Sequence, residues 1–117
     1  MLTFKKIAAQ GEIIIRRIAE VPAGCTTMKP EGRRFIIGHS ETGHHHVIGA
    51  TGASVSVLDK PPEGMRILYA VVETAMTLDH LREHDTHESI QLDPSVYEFR
   101  VAREFDHYGE LARQSAD

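Results

Sequence analysis

Glu88-Ser89-Ile90-Gln91-Leu92-Asp93-Pro94-Ser95-Val96-Tyr97-Glu98-Phe99-Arg100-Val101 is the stretch on which the fold turns. Apolar and polar residues alternate on both sides of Asp93-Pro94-Ser95, and successive side chains of a strand point to opposite faces. The proline interrupts the alternation and supplies a turn. Two strands joined in this way, each with one apolar face, point to an antiparallel β-protein.

The rest of the chain repeats the pattern. Gly11-Glu12-Ile13-Ile14-Ile15-Arg16-Arg17-Ile18 is a short β-branched run, closed by Pro22-Ala23-Gly24. Residues 19–32 carry Pro22, Gly24, Pro30 and Gly32 and read as a loop. Arg34 to Ser40 is a second strand, Glu41-Thr42-Gly43 turns, and His44 to Ile48 returns. Ala53–Leu58 and Met65–Val72 are further strands, separated by Pro61-Pro62-Glu63-Gly64. Residues 75–86 read as polar and irregular, with room for one helical turn, and the segment from Asp106 onward reads as a polar tail. About seven short strands without a sustained helical period predict an all-β fold, a small β-sandwich or barrel. The expectation is a single domain over residues 1–117, with its core in about 11–105.

Composition narrows the function. The net charge of −4 argues against a nucleic-acid partner, which selects for a basic face. Lys5-Lys6, Arg16-Arg17 and Arg33-Arg34 are local basic pairs, and the two arginine pairs read as exposed charges on strand edges. No run is long and apolar enough to span a membrane as a helix, and Met1 to Lys6 lacks the apolar segment of a signal peptide. The one cysteine, Cys25, excludes an intrachain disulfide and a thiolate-rich zinc site. These features lead us to expect a cytoplasmic protein. Val71-Val72 and Ile13-Ile14-Ile15 read as core or subunit contact, and a core of this size would gain from a homo-oligomer or a bound metal.

Four of the eight histidines fall into two patterns, Thr42-Gly43-His44-His45-His46 and His84-Asp85-Thr86-His87. Residues two apart in a strand share a face, so His44 and His46 can reach one object together. A three-residue loop at 41–43 pairs Ser40 with His44 and His39 with His45. A two-residue loop at 42–43 would put His39, Glu41, His44 and His46 on one face. His44 and His46 stay together in both registers. Imidazole is the commonest protein ligand for transition metals at neutral pH, so we expect His44, His46, His84 and His87 to meet around one ion. His39 and His45 read as outer-shell or surface residues, and His80 and His107 as surface.

The motifs resemble a family of small bacterial and phage β-proteins with the signature T-G-H-x-H on a hairpin, then H-x-x-H-x-x-I, then a proline turn with a Tyr, then R-E-[YF]. Thr42-Gly43-His44-His45-His46 is the first element, and His84-Asp85-Thr86-His87-Glu88-Ser89-Ile90 the second. Pro94, Tyr97 and Arg103-Glu104-Phe105 complete it, and Gly11 to Ile15 is similar to the family's first strand. Glu88-Ser89 stands where many relatives carry a proline, and Phe105 where Tyr is common; neither change removes a ligand. The resemblance implies a fold and a site, and assigns no reaction.

Three neutral imidazoles and a water make an open zinc site that yields hydroxide near neutral pH. Four imidazoles could close a structural shell, or leave positions open on iron, manganese or nickel. Glu41, Glu88 and Glu104 are the carboxylates available for proton transfer. Glu104, within the Arg103-Glu104 element, is the first choice and Glu41 the second. The expected activity is addition of water to a small-molecule electrophile, as a carbonic-anhydrase-like lyase or a small-ester hydrolase. The alternatives are a non-catalytic metal-stabilised accessory protein, or a metal-free histidine cluster that senses protons.

Overall fold

Tyr97, Phe99 and Val101 lie opposite Ala70, Leu68 and Arg66 on one side and Arg17, Ile15 and Ile13 on the other. The half of the alternating segment after Pro94 is thus inside a sheet, paired on both edges, whereas Ile90–Leu92 before it lies at the edge of the other sheet. In the computed structural model, which describes residues 2–38, 45–80 and 89–102, ten strands form two sheets. They are β1 (Ile7–Gln10), β2 (Ile13–Ile18), β3 (Cys25–Thr27), β4 (Arg34–Gly38), β5 (His46–Gly49), β6 (Ala53–Leu58), β7 (Met65–Val72), β8 (Met76–His80), β9 (Ile90–Leu92) and β10 (Ser95–Ala102). One sheet has the order β1-β2-β10-β7-β6-β3 and the other β4-β5-β8-β9. The named strand pairs are all antiparallel. The all-β expectation holds, and the architecture is a small β-sandwich of one domain, with no helix among the described residues.

Period-2 patterning builds the core. The six-stranded sheet contributes Ile13, Ile15, Val55, Leu68, Ala70, Val72, Tyr97, Phe99 and Val101. The four-stranded sheet contributes Phe35, Ile37, Ile48, Leu78, Ile90 and Leu92. Interdigitation of two such inner faces is what holds a sandwich together. Tyr97 is fully buried, and its hydroxyl donates to the Asp93 carbonyl at 2.5 Å, across the Asp93-Pro94-Ser95 turn. Leu2 crosses to the other sheet: its N–H donates to the Ser89 carbonyl, and the Gln91 N–H donates to the Leu2 carbonyl. This covers the outer edge of β9.

Three strands depart from the expected seven. β1 holds Ala8-Ala9-Gln10, with little intrinsic strand preference, and forms because it pairs with β2. β3 is three residues inside the expected 19–32 loop, held to β6 from Cys25↔Leu58 to Thr27↔Ser56. β8 occupies residues 76–80, where an irregular segment with a helical turn was expected. Its Leu78 is buried, with Thr77 and Asp79 turned the other way, so the alternation there follows the sheet.

Arg16 and Arg17 are not edge charges, because β2 lies between β1 and β10. Arg16 bonds the buried Glu98 carboxylate at 3.2 Å, which Arg100 also engages at 2.7 Å. Arg17 lies over the Phe4 and Tyr97 rings and donates to the Phe4 carbonyl. Arg34 is exposed on β4, which is an edge strand. The polar tail from 106 lies outside the described residues.

Tyr97→Phe removes the donor to Asp93 and should cost about 1 kcal/mol in urea unfolding. Phe99→Ala should cost about 3–5 kcal/mol. Burial, first among the causes, raises the Tyr97 and Tyr69 phenols above their ordinary 10.0, with the Glu98 charge adding at Tyr69. A raised folded-state value gives stability that is full below pH 10 and is lost as pH rises through the higher value. Stability should therefore fall with pH above about 10. The slope should be shallower in the double variant Tyr69→Phe/Tyr97→Phe.

Candidate functional site

His46 opens β5 and is buried, 3% exposed, on the core side of the four-stranded sheet. A buried imidazole needs partners for its ring nitrogens. Its Nδ1 lies 2.7 Å from Gln10 Oε1, and Gln10 Nε2 donates to the Leu78 carbonyl at 3.0 Å. Gln10 is itself buried, at 2% exposure. A carbonyl can only accept, so the Leu78 oxygen fixes the Gln10 amide with its NH2 on that side. The Gln10 oxygen then faces His46, and Nδ1 carries the proton. In the neutral ring, Nε2 holds the lone pair.

Local backbone geometry makes room for this arrangement. Gln10 faces Ile13 across a two-residue turn in which Gly11 takes φ 60°, and so joins the core side of β1. Gly38 lies opposite His46, and the register shifts between Ile36 and Gly38, a bulge in the hairpin. Below the bulge it is Ile36, not Ile37, that faces Val47. A Cβ on Gly38 would sit 2.8 Å from Ile13 Cδ1 and 3.3 Å from His46 Cδ2, so only glycine leaves room for both.

His80, expected at the surface, is half-buried and is the register partner of His46 across β5 and β8. The two rings stack with centroids 4.1 Å apart and planes within 2°. An ion bound in the plane of one ring cannot also lie in the plane of the other, so His80 in this pose buttresses His46 and does not share a ligand with it. The alternation Met76-Thr77-Leu78-Asp79-His80 is the signal that could have placed His80 beside the core. For Gln10 the signal was the Gly11-Glu12 turn ahead of β2, which sets a polar residue opposite Ile13.

Of the expected site residues, His46 is the one described. His44, His84 and His87 lie outside the described residues, as do Glu41, Glu88, Glu104, His39 and His107. His45 is half-buried at the start of the return strand. Among the described residues, no group of three or more His, Cys, Asp or Glu side chains stands together as a metal shell. Cys25 is remote in sequence from these motifs, and burial followed by the Asp59 charge raises its thiol above 9.0, which keeps it protonated at neutral pH.

The topology fixes where the undescribed stretches attach. β4 ends at Gly38 and β5 begins at His46, opposite it, so residues 39–45 connect there. β8 ends at His80, opposite His46, and residues 81–89 connect it to β9. β10 ends one residue beyond Val101, which pairs with Ile13, the residue that would meet a Gly38 side chain. The stretches containing His44, His84 with His87, and Glu104 therefore all attach at one end of the sandwich.

A family described as a domain of unknown function (DUF8820) matches residues 9–102, and the chain belongs to it. The match includes both histidine motifs and stops before Arg103-Glu104-Phe105. No curated protein and no solved structure matches the chain.

Gly38→Ala should destabilise the fold by about 1–3 kcal/mol, because the Ile13 methyl and the His46 ring must both give way. Urea unfolding measures the loss. Shifted His46 ring signals in the folded variant would separate a site effect from a core effect.

Proposed function

We propose that this member of the DUF8820 family is a histidine-ligated metalloprotein, with His44, His46, His84 and His87 as ligands and zinc as the ion. One observation carries the reading: the three stretches holding these ligands and Glu104 attach at one end of the sandwich, around Gly38, His46, His80 and Ala102. The state of His46 supports it. Its Nδ1 is taken by Gln10, and metal-binding imidazoles commonly donate their other N–H to such a partner.

The activity that fits this ligand set is addition of water to a small electrophile, as in carbon dioxide hydration or hydrolysis of a small ester. Neutral imidazoles leave the full charge of a zinc ion uncompensated, and such an ion supplies hydroxide near neutral pH. Glu104 is the proton acceptor in this reading, with Glu41 second. The chain works on a small molecule in the cytoplasm, as a homo-oligomer and without nucleic acid or membrane. The charge of −4 supports the absence of a nucleic-acid partner, and no helix among the described residues is long and apolar enough to cross a membrane. Ile7 and Ile14, 62% and 49% exposed, support self-association. The bacterial and phage signature, with Arg103-Glu104-Phe105 as its last element, belongs to the same reading.

A structural role for the same ion is the second reading. Among the described residues, β5 and β8 are joined at two register positions, His46↔His80 and Val47↔Asp79. A metal held between the two connections would reinforce that short ladder.

Elemental analysis of untagged protein should find about one metal ion per chain. His46→Ala and His87→Ala should lose most of it, and His107→Ala should keep it. Equal retention in all three variants would remove the assignment. Carbon dioxide hydration and ester hydrolysis, with His44→Ala as control, then test catalysis. Unfolding on chelation with no activity in either assay would select the structural role.

A further inference from the structure

We infer that Gln10 is the positioning residue of this site, holding His46 in the Nδ1–H tautomer so that Nε2 is the nitrogen offered to a metal ion. The inference rests on the metal reading for its purpose, but its structural content stands apart from it. The imidazole alone does not decide which nitrogen carries the proton; its hydrogen-bond partner does. Here that partner is a neutral amide whose own orientation is fixed by a backbone carbonyl. Leu78 O accepts from Gln10 Nε2 at 3.0 Å, and Gln10 Oε1 stands 2.7 Å from His46 Nδ1. A flipped amide would turn its oxygen onto the Leu78 oxygen, two acceptors facing each other in a buried place.

The three residues come from β1, β5 and β8, so one amide spans both sheets. Gly38 and the stacked His80 confine the ring further, at its Cδ2 edge and over its face. A Gln side chain serves better here than a shorter polar one, because β1 reaches the four-stranded sheet across the end of the core. The amide also accepts the imidazole N–H without adding a negative charge beside the ion. A carboxylate in its place would make the imidazole a stronger donor and the ion a weaker Lewis acid.

The test is nitrogen-15 spectroscopy of the histidine rings in metal-free, full-length protein, with His46 assigned by the signals lost in His46→Phe. The wild type should show His46 with the proton on Nδ1. Gln10→Met keeps the length of the side chain and removes both polar atoms; it should lose the tautomer preference and weaken zinc binding by about 10- to 100-fold. Gln10→Glu, whose protonated carboxyl can donate to the Leu78 carbonyl and accept from Nδ1, should keep the tautomer. It also serves as the readout if Gln10→Met does not fold. A wild-type ring protonated on Nε2 would overturn the inference. So would a folded Gln10→Met with unchanged tautomer and unchanged zinc affinity, or a folded Gln10→Glu that loses the Nδ1 proton. A wild type that shows the Nδ1–H form but binds no zinc supports the positioning role and removes the metal reading instead.

Discussion

A single buried amide ties the two sheets together at the end where the histidine-bearing connections attach. Gln10 bonds a carbonyl of β8 on one side and the imidazole of β5 on the other, from a strand of the opposite sheet. Burying a polar ring against Ile13 and Gly38 is costly unless its nitrogens are partnered. The Gln10 bridge partners Nδ1 and orients the ring at the same time. The hairpin bulge, the bare Cα of Gly38 and the stack with His80 all make sense as the space this ring requires.

The sandwich around it is a positioning device. Among the described residues, its buried polar and charged side chains fall in two places. One is the Glu98 carboxylate between Arg16 and Arg100 on the outer face of the six-stranded sheet; each of its oxygens has a cationic partner, so it is a closed structural group. The other is the Gln10–His46 pair at the end of the core. Only the second lies where connections attach that carry further histidines. Antiparallel pairing brings residues 38, 46, 80 and 102 to a common end although they are distant in sequence. That convergence gives the metal reading its physical basis.

Much of the architecture was legible because long strands obey the period of two. Tyr97, Phe99 and Val101 could be read inward from spacing alone, as could Ile13 and Ile15. The strands that the sequence did not reveal carried a weak signal or none. Ala8-Ala9 has little preference for extended backbone, and Cys25-Thr26-Thr27 is too short to show a period. β8 alternates, but its apolar face carries only Met76 and Leu78 before His80 ends it. Register was legible at Gly38↔His46 and not below it, where the bulge between Ile36 and Gly38 intervenes. Gly38 within a strand was the one local hint. The role of Gln10 could not be read at all without knowing that β1 exists, because its partners lie 36 and 68 residues away.

Anomalous scattering at the zinc edge, from crystals of the full chain grown with stoichiometric zinc, tests the central claim most directly. The account predicts one strong peak about 2.0–2.1 Å from His46 Nε2, with imidazoles of the 39–45 and 81–89 connections around it. A map with no peak beside His46, or with its zinc held elsewhere on the chain, would contradict it.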